Sequence, residues 1–165
     1  MSVVIRPAVD DDFDAIWPII EEIARAGETY AYPSDIDKAQ AFEQWMQLPR
    51  QTYVCEVDGQ VAATYYLKTN AQGPGQHVCN AGYMTAAKYR GRGLASAMCE
   101  HSQREAVKFG YLAMQFNFVA SSNTGAVALW QRHGFETVGR LPKAFNHPVK
   151  GLVDALVMYK WLASA

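Results

Sequence analysis

The stretch YRGRGLAS, residues 89–96, joins HVCNAGYMT (77–85), which reads as a strand, to GLASAMCEHSQREAVKFG (93–110), which has helical apolar spacing and a stop at Gly110. A glycine-bearing turn between a strand and a helix aims free backbone N–H groups and the positive end of the helix at one point, where an anion can sit. Gly91 and Gly93 reach positive φ at little cost, and Ala95 and Ser96 leave the first turn unobstructed. Lys88, Arg90 and Arg92 add charge suited to phosphate oxygens. The stretch reads either as a phosphate cradle or as a turn with solvated arginines. GRGLAS departs from the dinucleotide fingerprint G-x-G-x-x-G at Ser96 and lies mid-chain, which argues against a nicotinamide-dependent oxidoreductase, and no G-x-x-x-x-G-K-[ST] occurs.

Outward from this turn the punctuation is that of a mixed α/β chain. VVIRPA reads as a strand, and DDDFDAIWPIIEEIARAG as an amphipathic helix stopped by Gly27, with Pro18 either kinking it or opening its regular part. After the loop AGETYAYPSDI, Ser34 is the expected N-cap of a second helix that runs to about Leu48. Asp58-Gly59 predicts a hairpin between the two strands of TYVCEVDGQVAATYYLKT. YLAMQFNFV is a further strand, SSNTGAVALWQRHGF a capped short helix, and ETVGRL and LVDALVMYKWL are two closing strands. The expected fold is α/β of the α+β kind: a central mixed, mostly antiparallel sheet of about seven strands flanked by about four helices, in one domain over 1–165.

Composition narrows the partners. The chain has 165 residues, half of them apolar, enough for one core without staples. A net charge of -1 gives no global attraction to nucleic acid or to an anionic membrane. Cys55, Cys79 and Cys99 lack C-x-x-C spacing, and the four histidines lack metal spacing, so neither a disulfide framework nor a metal site is expected. The N-terminus has no leader pattern and no apolar run spans a bilayer, so the expected location is cytoplasmic.

Arg90, Gly93 and Ala95 match R/Q-x-x-G-x-G/A, and Asn123, Ala126, Leu129, Gly134 and Phe135 match N-x-x-A-x-x-L-Y-x-x-x-G-F. Two motifs in this order resemble the GNAT superfamily of N-acetyltransferases, and the similarity spans roughly residues 3–162. The resemblance implies a splayed GNAT sheet with acetyl-CoA as co-substrate and no metal. It also implies a pantetheine arm along Tyr83, Met84 and Thr85, and a pyrophosphate held by the amides of Arg90, Gly91, Arg92, Gly93, Leu94, Ala95 and Ser96. Asn123 becomes a cofactor contact as well as an N-cap.

The chemistry implied is direct attack of a neutral amine on the thioester through a tetrahedral intermediate, with an oxyanion donor near Met84 or Thr85. It needs a base, and a proton for the departing thiolate. The motif tyrosine that often supplies that proton is replaced by Trp130, whose indole is no acid; it reads as a wall of the pantetheine channel or as core. Tyr83, Tyr65 and Tyr66 are the alternative proton donors, with water as another route. The strand HVCNAGYMT carries no carboxylate, leaving His77, Cys79 and Asn80, with Glu28 from the loop, as candidates near the base position. Asn80 can position a water, Cys79 reads as a small buried hydrophobe, His101 and His133 as helix-surface residues and His147 as a loop residue.

Glu28, Thr29, Tyr30 and Tyr32 form either a set able to hold an amine or small zwitterion or a surface loop with packed aromatics, and Asn117, an amide in an apolar strand, is expected buried, either bracing the main chain or facing the site. The tail from Leu141 to Lys160 is loosely similar to members that acetylate amino acids or toxic analogues of the phosphinothricin and proline-analogue types. A small amino-acid-like amine is the expected acceptor, a protein N-terminus or lysine the alternative, and a silent acyl-CoA sensor the rival class. The resemblance is compatible with a homodimer.

Overall fold

The computed structural model describes residues 1–163. Seven strands form one sheet: β1 (Val3–Pro7), β2 (Gln51–Val57), β3 (Gln60–Thr69), β4 (Val78–Thr85), β5 (Ala113–Ala120), β6 (Glu136–His147) and β7 (Gly151–Trp161), in the order β1-β2-β3-β4-β5-β7-β6. Every neighbouring pair is antiparallel except β4 and β5. Four helices, α1 (Phe13–Ala26), α2 (Lys38–Phe42), α3 (Leu94–Lys108) and α4 (Thr124–Arg132), accompany it. The β2–β3 hairpin turns at Asp58 and Gly59 with φ of 49° and 79°, the two positive values that an Asp-Gly turn supplies.

Helices cover both faces of the sheet because both faces of its central strands are apolar. Ile16, Ile19, Ile20, Ile23 and Ala24 of α1 bury against Trp45, Val54 and Met84 on one side. On the other, Met98, Cys99 and Ala106 of α3 pack with Tyr53, Tyr65, Leu67, Tyr83 and Met114, and Trp130 of α4 joins them. Pro18 lies inside α1 and is exposed; the helix starts five residues before it and runs on through it. The second helix begins later than expected. Asp37, not Ser34, is its N-cap: its side chain accepts from the Gln40 N–H while the Gln40 side chain returns to the Asp37 N–H, a reciprocal box that Ser34 lacks. β6 also continues past ETVGRL to His147, carried by its pairing with β7.

Two histidines are more engaged than helix-surface residues. His101 Nδ1 lies 2.7 Å from the Tyr65 hydroxyl and its ring is edge-on to stacked Tyr53 and Tyr65; burial lowers its pKa. His133 Nε2 lies 2.7 Å from Ser96 Oγ, tying the end of α4 to the first turn of α3.

The Tyr66 ring lies across β4 at Gly82, its register partner. A Cβ at Gly82 would stand 2.6 Å from Tyr66 Cε2. Gly82→Ala therefore forces the ring away; we expect about 1–3 kcal/mol lost in denaturant unfolding. Unchanged stability would show that Tyr66 is not confined by this strand.

Candidate active site

β4 and β5 pair only at Val78 with Ala113 and Cys79 with Met114, then part. Between them opens a cleft of about 950 Å³ that runs from the α1–α2 loop to the turn before α3. Asn80 sits at the fork with its side chain buried. Its Nδ2 donates to the Gln115 carbonyl of β5 at 2.9 Å, and its Oδ1 accepts from the Tyr66 hydroxyl at 3.0 Å. Both ends of the amide are committed, so Asn80 braces the fork.

Alternate residues of a strand direct their N–H and C=O to opposite neighbours. The Tyr83 N–H and carbonyl point into the cleft, where both meet the Tyr30 hydroxyl at 2.7 and 2.8 Å. Ala81 and Thr85 share that direction, whereas the N–H of Met84 faces β3. This corrects the expected oxyanion donor: Tyr83 or Thr85 offers an N–H to the cleft, and Met84 does not. Met84 still contributes to the cleft wall.

In the turn before α3 the Arg90 N–H is bonded to the Ala87 carbonyl at 3.2 Å, so the expected row of amides is narrowed to Gly91 onward. Gly91 and Gly93 take φ of 75° and 80°, and a Cβ at either would meet no atom of the chain within 4 Å, so the space above this backbone is open. Arg90 and Ala95 line the cleft here. Arg90 also bonds Glu22 of α1 at 3.0 Å; both side chains are about half exposed, so this ion pair is weak enough to exchange for a phosphate. Arg92 and Lys88 lie instead against the Tyr89 ring. Asn123 caps α4 with its Oδ1 on the Ala126 N–H at 3.3 Å, and Trp130 packs 5.0 Å from both Tyr83 and Phe116 while lining the cleft.

The tyrosines separate by location. The Tyr83 hydroxyl is buried beneath α3, 2.6 Å from Ser102 Oγ, and burial holds its pKa well above the ordinary value; it cannot deliver a proton to the cleft. Tyr65 is spent on His101 in the same core. Tyr66, pushed up to about 12 by burial, lines the cleft, as do Tyr30 and Tyr32, stacked 5.8 Å apart. Burial pushes the Cys79 thiol up to about 12 as well, which removes it as a nucleophile at neutral pH. His77 lies before β4, packed towards Trp161 rather than in the cleft wall.

Glu28, Thr29, Tyr32, Gln44 and Lys68 also line the cleft. Asn117 faces this cleft but is exposed, not buried, bonded to Asn70 and Gln115. Lys68 escaped the sequence reading because only the β3–β4 register, Lys68 opposite Asn80, carries it to the site. Among the described residues neither Lys68 nor Glu28 forms an ion pair, and no group of three or more His, Cys, Asp or Glu is placed to hold a metal.

A seven-stranded sheet forked at its one parallel pair, with a glycine turn and helix end closing the fork, defines a site for a long ligand with an anionic group. The family model described as the Acetyltransferase (GNAT) family matches residues 15–135, and the chain belongs to that family. A GCN5-related N-acetyltransferase from Kribbella flavida is 42% identical with a TM-score of 0.92, covering 97% of this chain and 98% of that one. A phosphinothricin acetyltransferase from Sinorhizobium meliloti, whose structure holds acetyl-CoA, shares the fold at 18% identity with a TM-score of 0.87, over 99% of this chain and 90% of that one. The N-acetyltransferase aca1 of Schizosaccharomyces pombe is 28% identical over 94 residues, 56% of this chain and 45% of that protein, so the match spans about half of its length.

Proposed function

We propose that this chain transfers an acetyl group from acetyl-CoA to the amine of a small amino-acid-like zwitterion. What supports the acceptor half is a carboxylate, Glu28, and an ammonium, Lys68, lining one cleft, neither in an ion pair among the described residues. A zwitterion presents the complementary pair, its amine to Glu28 and its carboxylate to Lys68. A peptide N-terminus lacks the adjacent carboxylate, which ranks protein acetylation second.

The cofactor half follows from the open main chain of β4 and the glycine turn. Amides of a pantetheine arm complete the hydrogen bonding of Ala81, Tyr83 and Thr85, and the N–H groups from Gly91 to Ser96 receive the pyrophosphate, with the Arg90 side chain beside them and Asn123 and Trp130 flanking the arm. Acetyl-CoA supplies the activated acyl carbon. The amine attacks it directly, and a cleft N–H of β4 stabilises the oxygen of the tetrahedral intermediate. Glu28 is the carboxylate at the acceptor end and takes the amine proton directly or through water. No tyrosine is needed as acid for the thiolate, whose low proton affinity lets water serve.

Free-thiol release from acetyl-CoA, measured with amino acids, simple amines and lysine- or N-terminus-bearing peptides, tests this reading. Turnover should be greatest with amino acids, and Lys68→Gln should raise KM for them about tenfold or more, the worth of one charge-assisted hydrogen bond. Turnover only on peptides would transfer the assignment to proteins, and acetyl-CoA binding with no turnover on any acceptor would make the chain a sensor.

Gly93→Val places a branched side chain at a left-handed φ and in the space above the turn. Calorimetry should show acetyl-CoA binding weakened by at least about tenfold; unchanged affinity would remove the pyrophosphate assignment.

The reading extends to a homodimer in a reducing cytoplasm. Val138, Leu141, Val149 and Leu152 are exposed on the β6–β7 arm, whose outer strand has no neighbour in the sheet, and the three cysteines are buried free thiols. Light scattering should give twice the chain mass of 18.3 kDa, and a monomer at micromolar concentration would sink the dimer.

A further inference from the structure

The Tyr30 phenol replaces a neighbouring strand at one residue. Its oxygen accepts from the Tyr83 N–H at 2.7 Å and its proton goes to the Tyr83 carbonyl at 2.8 Å. The ring is held by Tyr32, stacked at 5.8 Å, and by Trp45, edge-on at 6.4 Å. Burial keeps the phenol well above its ordinary pKa, so it stays protonated and remains a donor.

An acyl oxygen that accepts from the Tyr83 N–H must take the place the phenol oxygen now holds, because such bonds are about 2.9 Å long. The displaced hydroxyl then has a proton to redirect, and the incoming oxygen is the acceptor beside it. We propose that Tyr30 is a catalytic residue, the second hydrogen-bond donor to the thioester oxygen alongside the Tyr83 N–H. This rests on the acetyl-transfer reading of the cleft. The exchange leaves no group unpaired: the Tyr83 carbonyl, released by the phenol, accepts from an amide N–H of the pantetheine arm. As the amine lone pair forms the N–C bond, the carbonyl π pair moves onto the oxygen, where two neutral donors meet it, and the proton released from the nitrogen passes to Glu28 directly or through water. Collapse restores the C=O bond and breaks the C–S bond, the thiolate leaving with that electron pair. The phenol keeps its proton throughout.

A plug that merely seals the strand would make Tyr30 a competitor of the substrate, and its removal would then tighten binding without slowing the reaction. Tyr30→Phe keeps the ring and its contacts with Tyr32 and Trp45, and an unchanged thermal midpoint would confirm the fold. With carbonyl-labelled [13C]acetyl-CoA bound, isotope-edited infrared spectroscopy reads hydrogen bonding to the thioester oxygen without any acceptor. The carbonyl band should lie at lower frequency in the wild type than in Tyr30→Phe, and kcat with the best acceptor should fall by on the order of 100-fold, with KM for acetyl-CoA unchanged or lower. Equal band positions in the two proteins, or a kcat close to that of the wild type, would overturn the assignment. Calorimetry separates the two levels: a wild type that fails to bind acetyl-CoA overturns the cofactor reading and the Tyr30 role together, whereas firm binding with equal bands overturns Tyr30 alone.

Discussion

After Cys79 and Met114, β4 and β5 stop pairing in the middle of a sheet whose other strands pair along most of their lengths. A buried backbone group without a partner costs about 1–3 kcal/mol, so a fork of this kind must be held and its exposed groups satisfied. Asn80 holds it from the β4 side by taking the Gln115 carbonyl, and Tyr30 satisfies Tyr83. Tyr66, crossing Gly82 to reach Asn80, fixes the brace in turn. The cleft, the direction of the open main chain and the position of the glycine turn at the far end all follow from that interruption.

The fork also explains why one cleft has two chemistries. Along β4 and the turn before α3 the chain offers main-chain groups and a helix end, which suit a ligand rich in amides and phosphates. The α1–α2 loop and β3 bring side chains to the same cleft, Glu28, Tyr32, Tyr66 and Lys68, whose charge and shape differ from that main-chain lining. Tyr30 belongs to the loop but reaches the strand at the Tyr83 main chain.

The half of the site carried by contiguous segments was readable in the sequence. Strand 77–85, the glycine turn and the helix after it, and the Asn123 cap all signal through local residues, and Asp58-Gly59 fixed the hairpin for the same reason. What escaped depends on which distant segments lie side by side. Lys68 reaches the cleft through register with Asn80, and His101 becomes an interior residue because Tyr53 and Tyr65 stack beneath α3. Tyr83 is one of three candidate proton donors by residue type, yet side-chain alternation sends its hydroxyl to Ser102 and leaves only its main chain and ring to the cleft. Ser34 and Asp37 are both good caps by type, and the choice fell to Asp37 because Gln40 completes the box.

The central claim is that an acyl-CoA completes the unpaired face of β4. Amide hydrogen exchange followed by NMR tests it residue by residue. On addition of acetyl-CoA the amides of Ala81 and Thr85 should exchange more slowly, while those of Gly82 and Met84, already facing β3, should not change. Unaltered exchange at Ala81 and Thr85 under saturating acetyl-CoA would contradict the account.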